Sequence, residues 1–292
     1  MKKPDGTMAG FDVDVATYVA GQLGYKPDEI EWKEAPSGQR ETLIQNGQVD
    51  FIAASYSITD ARKQKVDFAG PYLITGQSLL VRADNNDITG ADSLQNGKRL
   101  CSVSGSTPAQ RIKDKYPGVQ LQQYDTYSAC VEALRNGAID AVSTDEVILA
   151  GFAAQFPGAF KIIGKPFSKE PYGIGLRKGD SQLRTKINDA IVKMEKDGDW
   201  KAAFDKNLGP AGITAPPPPP PLDTGGTAGA GPARRHSRQV QEPDHPGVLD
   251  DHPAHVLRRD RGLDPRHIPC GDATFAGSDA ADAGHRLRQR GA

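Results

Sequence analysis

The sequence predicts an α/β protein whose two lobes face a shared ligand cleft. Up to about Leu208, short strands rich in Val, Ile and Leu alternate with amphipathic helices, which is typical of α/β domains. A helix end, an Asn-Gly stop and a strand start occur at 43–50 and again at 134–140, which indicates two related units. Two strand-like segments, 76–82 and 172–177, connect the predicted lobes. They predict a two-strand hinge that lets the lobes close on a ligand.

The first predicted helix begins after Gly10 and ends at Gly24. Its apolar stripe consists of Phe11, Val15, Val19 and Leu23. This spacing predicts a helix that covers one face of a sheet. We interpret Asp12 as the acid cap of the helix and Asp14 as a surface charge.

The apolar strand after the first Asn-Gly stop ends in hydroxyl-bearing residues. Ser55 and Ser57 follow the apolar run, and ligands of open α/β sheets bind at such strand ends. Arg62 comes just beyond them, and its planar guanidinium fits a carboxylate through two parallel hydrogen bonds. The segment therefore predicts a carboxylate-binding site. The alternative is a surface turn in which Arg62 pairs with Asp60 or Asp67.

The second predicted lobe offers another anion-binding element. Residues 103–110 turn through glycine into a helix that begins near Pro108, and free N–H groups at a helix start favour a negative ligand group. The loop lacks the lysine of a phosphate-binding loop, so no nucleotide site is predicted. The alternative is an ordinary capped helix start. After the repeated strand come Ser143, Thr144 and Asp145, at the position that Ser55 and Ser57 occupy in the first unit.

We place lobe 1 at residues 1–83 plus 171–208 and lobe 2 at 84–170. Residues 209–292 form a Pro/Gly/Ala/Arg-rich tail: all six histidines lie after residue 230, and the last lysine is Lys206. Burial of so few apolar side chains does not offset the conformational entropy that is lost when a chain is ordered. We therefore expect the tail to be disordered. The tail composition is typical of GC-rich DNA translated in a shifted frame, which is our hypothesis for its origin.

Composition excludes several classes of function. A net charge of −1 does not favour nucleic acid as a partner, and no apolar run approaches the roughly 20 residues of a membrane span. The spacing of His252 and His255 in the tail is not supported by positioned partners, so no metal or cofactor is predicted.

The run Ser57-Ile58-Thr59-Asp60-Ala61-Arg62, followed by Val66-Asp67-Phe68-Ala69-Gly70-Pro71-Tyr72, resembles the signature of the family 3 solute-binding proteins, the polar-amino-acid receptors of ABC importers. The resemblance covers about residues 4–215 and is greatest to the glutamate-binding branch. It implies a type II periplasmic-binding-protein fold. Since relatives carry an initial strand, a ligand-contacting loop and an export signal before this point, we expect the first strand of lobe 1 and the signal segment to be absent here. The full-length form is expected outside the cytoplasm, tethered as a lipoprotein.

The resemblance implies how an amino acid is held. Arg62, the backbone of Ser57 and Thr107 would bind its α-carboxylate. Asp145 and the carbonyl of Ser55 would bind its ammonium group. Arg40 lies just before the helix that faces the same cleft and would suit an acidic ligand side chain; the alternative is a surface arginine paired with Glu41.

The sequence therefore predicts a monomeric, non-enzymatic receptor that captures an L-amino acid, with glutamate favoured, and delivers it to an ABC permease. One alternative is an enzyme on the same scaffold, such as a cyclohexadienyl-dehydratase-like lyase, although the first 208 residues contain no histidine to serve as acid or base. Another alternative is a receptor for glutamine, aspartate or asparagine. A further alternative is the sensor domain of a receptor, but no transmembrane segment follows the second lobe.

Cys101 and Cys130 are the two cysteines of the predicted folded part. Because the resemblance implies an exported protein, we expect a disulfide between them, with reduced buried thiols as the alternative. Cys270 in the tail would then be unpaired.

Overall fold

A computed structural model describes residues 7–220 and 255–257 of the 292-residue chain. Its helices are α1 (Phe11–Gln22), α2 (Arg40–Gln45), α3 (Asp60–Lys65), α4 (Thr107–Lys115), α5 (Tyr127–Arg135), α6 (Glu146–Gln155), α7 (Ser181–Lys196) and α8 (Asp199–Leu208). Its strands are β1 (Phe51–Ala53), β2 (Asp67–Thr75), β3 (Gln77–Arg82), β4 (Arg99–Val103), β5 (Gln120–Tyr124), β6 (Ala141–Asp145), β7 (Phe160–Ile163), β8 (Glu170–Leu176) and β9 (His255–Leu257). Strands and helices alternate along most of the described chain, in agreement with the predicted α/β class.

The first sheet has the strand order β2-β8-β1-β9, with antiparallel neighbours throughout. Helices α1, α7 and α8 cover one face, where the aromatic rings of Phe11, Trp200 and Phe204 pack together. Met194 and Trp200 are buried in this core. Helix α2 packs on a second apolar cluster around Tyr56 and Phe68.

The second sheet has the order β5-β4-β6-β3-β7. Strand β4 runs parallel to β5 and β6, as strand–helix–strand connections require, and β3 pairs antiparallel with β6 and β7. Cys101 on β4 and Cys130 on α5 form a disulfide, with 5.6 Å between their Cα atoms. The predicted disulfide is thereby confirmed.

The two sheets are connected where predicted, but one strand belongs to the other sheet. Residues up to 83 are predicted to belong to lobe 1, whereas β3 is hydrogen-bonded into the second sheet, so the change of sheet falls at Gly76. The returning strand β8 lies in the first sheet. That the two lobes move relative to each other stays a prediction.

The amino-terminal helix differs from its prediction in one respect. Its N-cap is Gly10, without a side-chain cap, so the interpretation of Asp12 as the acid cap is wrong. Asp14 is a partly exposed charge that pairs with Lys206 at 2.9 Å and accepts from Asn207 on α8.

The tail was expected to be disordered, and part of it is a strand. β9 pairs with the edge of β1 in the register Phe51↔Leu257, Ile52↔Val256 and Ala53↔His255. The remaining predictions for the tail, including the metal spacing that ends at His255 and the unpaired Cys270, concern residues or side chains outside the described part of the chain. No helix among the described residues is both long and apolar enough to cross a bilayer.

Candidate ligand-binding site

A cavity of about 440 Å³ lies between elements of the two sheets. Five of the six predicted ligand residues line it, and they are Arg40, Ser55, Arg62, Thr107 and Asp145. The sixth, Ser57, contacts two of these five. The structure thus brings together residues that lie up to 105 positions apart between Arg40 and Asp145; their role in binding stays a prediction.

Arg62 is held by the strand end that precedes it. Its Nη1 donates to the carbonyl oxygen of Ser57 at 2.8 Å, and its Nε lies 3.2 Å from Glu41 Oε1. Thr59 caps α3 by accepting from the backbone N–H of Arg62, which fixes the first turn. The alternative pairing with Asp60 or Asp67 is wrong, because those carboxylates pair with Lys63 and Lys178.

Arg40 is a buried cation, only 4 % exposed. Its Nε donates to the carbonyl oxygen of Ala35 at 3.1 Å, and no carboxylate of the described residues forms an ion pair with it. The alternative that Arg40 pairs with Glu41 is wrong, since Glu41 accepts instead from Arg62 and from the Tyr56 hydroxyl. Burial, and then the charge of Arg62, lower the pKa of Arg40. The site therefore holds positive charge that an anion would stabilise.

Tyr56 organises the two cations. The guanidinium carbons of Arg40 and Arg62 lie 5.3 Å and 4.8 Å from the centre of its ring, within the range of cation–π attraction. Tyr56 is fully buried, and its hydroxyl donates to Glu41 at 2.7 Å. This ring keeps two like charges near one cavity.

Ser55 adopts a left-handed backbone with φ of 47°, the one non-glycine residue with positive φ in the described chain. Its hydroxyl donates to Asp12 Oδ2 at 2.9 Å, and the Tyr72 hydroxyl donates to Asp12 Oδ1 at 2.6 Å. Asp12 therefore holds the strand end in this unusual conformation. No local sequence pattern reveals this role of Asp12, because Ser55 lies 43 residues away.

Thr107 is the first residue of α4, after the N-cap Ser106, which accepts from the N–H of Ala109. Its hydroxyl lies 3.4 Å from Ser57 Oγ and 3.3 Å from Glu170 Oε2. One hydroxyl proton serves only one acceptor at a time. Thr107 thus connects the second-sheet helix α4 to two residues associated with the first sheet.

Asp145 ends β6 and is 3 % exposed. Its Oδ2 accepts from the Tyr172 hydroxyl at 2.5 Å, whereas Oδ1 is buried and has no hydrogen-bond partner. Burial first, and then the charge of Glu170, raise the pKa of Asp145 to about 7. Such an acceptor beside a cavity suits a ligand cation, because an unmatched buried oxygen is costly.

Sequence reasoning missed the residues that support this site. Tyr172 and Glu170 lie on the returning hinge strand, and Tyr56 lies between two predicted ligand serines. A polar side chain in a segment otherwise buried on both faces is the one signal that could have found them.

The chemistry of the site is that of ion recognition. Two guanidinium groups and one carboxylate face the same space, which fits a small zwitterion with extra negative charge. The described residues contain no group of three or more His, Cys, Asp or Glu placed to hold a metal ion.

The fold and this site define a solute-binding protein with a ligand-sized cavity between elements of two sheets. A profile of the bacterial extracellular solute-binding proteins, family 3, matches residues 1–210, and the chain belongs to that family. As a member of an extracellular family it acts outside the cytoplasm. Its curated relatives are solute-binding receptors, and it is likewise a receptor and not an enzyme.

Two curated relatives and one solved structure illustrate the similarity. The glutamate-binding protein GluB of Corynebacterium glutamicum is 52 % identical over 218 residues, 72 % of this chain and 74 % of the relative. The ABC transporter glutamine-binding protein GlnH of Bacillus subtilis is 37 % identical over 207 residues, 70 % and 75 % of the two chains. An ancestral arginine-binding protein bound to glutamine matches with a TM-score of 0.67 and 37 % identity, covering 72 % of this chain and 92 % of the other.

Proposed function

We propose that this protein captures L-glutamate outside the cytoplasm and presents it to the permease of an ABC importer. The observation that carries the proposal is the charge pattern of the cavity: one buried carboxylate with an unpartnered oxygen, and two buried or half-buried guanidiniums. Glutamate carries one ammonium and two carboxylates. The ligand and the site therefore match group for group.

The α-amino acid end of the ligand would be bound by residues from both sheets. Asp145 Oδ1 accepts from the ammonium group, and so does the carbonyl of Ser55, since both residues line the cavity. Arg62 and the N–H groups at the start of α4, around Thr107, receive the α-carboxylate. Each ionic contact offsets desolvation on both sides, since the site charges are already buried.

Arg40 supplies specificity for the second carboxylate. It is buried, it lacks an ion-pair partner among the described residues, and Arg62 is near enough to lower its pKa. A neutral side-chain amide, as in glutamine, would leave that cation without a counter-charge. Similarity to glutamate-binding GluB, at 52 % identity, supports the same choice.

Lobe closure, the permease and the tether belong to the proposal. The ligand contacts come from two sheets joined by two strands, so closing the lobes would complete the site. We infer that the closed monomer docks on the permease and that the full-length form is held at the cell surface as a lipoprotein. These inferences are supported by the family match.

Isothermal titration calorimetry with L-glutamate, L-glutamine, L-aspartate and L-arginine tests the proposal. We expect one-to-one binding, tightest for glutamate. At about a hundredfold the dissociation constant, glutamate should stabilise the fold by roughly 2.7 kcal/mol in a thermal melt. Tighter binding of glutamine or arginine than of glutamate would contradict it.

A further inference from the structure

Glu170 is a buried carboxylate at the first position of β8, where the chain returns to the first sheet. It is 2 % exposed and does not line the cavity among the residues described there. Its Oε1 accepts from Arg111 Nη2 at 2.5 Å and from Ser168 Oγ at 2.8 Å, and its Oε2 lies 3.3 Å from Thr107 Oγ1. The position of Glu170 alone indicates no role in ligand recognition. Its hydrogen-bond and ion-pair partners indicate such a role.

Two partners of Glu170 lie one turn apart on α4. Thr107 and Arg111 are four residues apart, so both side chains project from the same face of the helix. One carboxylate therefore holds the first turn of α4 from a strand of the other sheet. Arg111 also donates from Nε to Gln77 Oε1 at 3.0 Å, and Gln77 begins β3. The contacts that orient the start of α4 thus come from Glu170 and Gln77, the first residues of β8 and β3, the two strands at which the chain changes sheet.

Glu170 also acts electrostatically on the ammonium end of the site. Its charge favours the protonated form of Asp145, second in effect to burial. The other groups facing Asp145 are Tyr172 on β8, Tyr127 on α5, Arg62 on α3 and Arg111 on α4. Tyr172, Arg62 and Arg111 lower the pKa of Asp145, in opposition to Glu170. A second negative charge beside Asp145 adds attraction for a cation without touching it.

We propose that Glu170 is a positioning residue for both ends of the ligand: it aims the start of α4 at the α-carboxylate and adds negative charge behind the ammonium site at Asp145. This inference rests on the proposed function for its ligand. It assigns to the hinge a direct influence on affinity. It also predicts that the affinity depends on pH through Asp145 in a manner that Glu170 tunes.

The test compares Glu170→Gln with Arg111→Gln, which break the same ion pair but remove opposite charges. Glutamate affinity is measured by calorimetry from pH 5.5 to 8.5. In the parent protein, affinity should fall below about pH 7, where Asp145 takes up a proton. Glu170→Gln should weaken binding at pH 8 by roughly tenfold and move the midpoint of the fall to lower pH by about 0.5 to 1 unit. Arg111→Gln should move the midpoint to higher pH.

A purely structural role would weaken binding in both variants and leave both midpoints in place, or move them in the same direction; either result overturns the inference. A second readout needs no ligand: the carboxyl ¹³C shift of Asp145, titrated by NMR in each folded variant. If the parent binds no glutamate, the proposed function fails. Opposite shifts of the Asp145 titration would still support the coupling, and unchanged titrations would refute it.

Discussion

The backbones of Gly38 and Gly105 touch across the cleft. A methyl group on Gly105 would lie 2.9 Å from the Cα of Gly38 and 3.0 Å from its nitrogen. Gly105 follows β4 of the second sheet, and Gly38 precedes α2, which packs on the first sheet. This close approach is possible because Gly105 has no side chain. Arg40, which follows Gly38 by two residues, and Thr107, which follows Gly105 by two, both line the cavity.

We expect Gly105→Ala to weaken ligand binding by impeding closure. The methyl group would meet backbone, which cannot rotate away, so the lobes would have to stay further apart. We predict a loss of at least tenfold in glutamate affinity, about 1.4 kcal/mol, measured by calorimetry.

Gly137→Ala is the matched control for this substitution. Gly105 has φ of 69° and Gly137 has φ of 75°, so both variants carry the same backbone strain. The space around Gly137 is open apart from an arginine side chain at 4.0 Å. Its replacement should cost about 1 kcal/mol of stability and leave affinity unchanged; equal losses of affinity in both variants would contradict a closure contact.

Asp145→Asn should abolish binding but stabilise the empty protein at alkaline pH. The native pKa of Asp145, about 7, lies above the ordinary value of 3.8. Its contribution to stability is therefore complete below about pH 4 and is lost as the pH rises through 7. Asparagine avoids the buried charge and can still accept from Tyr172. We expect a gain of roughly 1 to 4 kcal/mol at pH 8 and little change at pH 4, measured by urea unfolding. A destabilised variant at pH 8 would contradict this account.

The structure brings five of the six predicted ligand residues to one cavity, whereas the residues that support them are not predicted by the sequence. Ser55 and Arg62 follow one recognisable strand and Asp145 ends another, and strand ends of α/β sheets converge by topology. The local sequence favours a helix cap for Asp12, because it reveals only the neighbours within one helical turn. Its partners, Ser55 and Tyr72, lie 43 and 60 residues away.

The same limit explains the error at β3. Residues 76–82 read as a strand in either sheet, because a strand buried on both faces has no period that reveals its neighbours. Its pairing with β6 and β7 depends on contacts formed only in the folded chain. Likewise, Glu41 pairs with Arg62 rather than with Arg40. This choice depends on the placement of Tyr56, whose hydroxyl donates to the same carboxylate.

Arg40→Gln should change the ligand preference from glutamate towards glutamine. Glutamine at position 40 removes a buried cation that has no ion-pair partner in the described chain, and it offers an amide to an amide. We expect glutamate affinity to fall about a hundredfold, as for the loss of a charged hydrogen bond, while glutamine affinity falls less or rises. Arg135→Gln, whose half-exposed side chain pairs with Glu132, should bind as the parent does. An equal loss for both ligands would contradict a role in specificity.

Replacing both Cys101 and Cys130 by alanine should destabilise the second sheet without changing specificity. The disulfide closes a separation of 29 residues, for which loop-closure entropy predicts about 3 to 4 kcal/mol. Urea unfolding of the double variant, compared with the parent under oxidising conditions, measures the loss. The rank order of ligands in calorimetry should be unchanged, since neither cysteine lines the cavity described here.

The pairing of β9 with β1 predicts that the tail stabilises the first sheet. Strand β1 is three residues long and leads to Ser55 and Ser57. Without β9, the outer edge of β1 would carry unpaired N–H and C=O groups. Consecutive N–H groups of a strand point to opposite edges, so prolines at both His255 and Val256 must remove one donor that faces β1. We expect this double variant to melt at lower temperature than the parent and its amides at 51–53 to exchange hydrogen faster. The control places prolines at Val248 and Leu249, outside the paired segment. Equal exchange at 51–53 in the parent and both variants would show that 255–257 does not pair with β1 in solution.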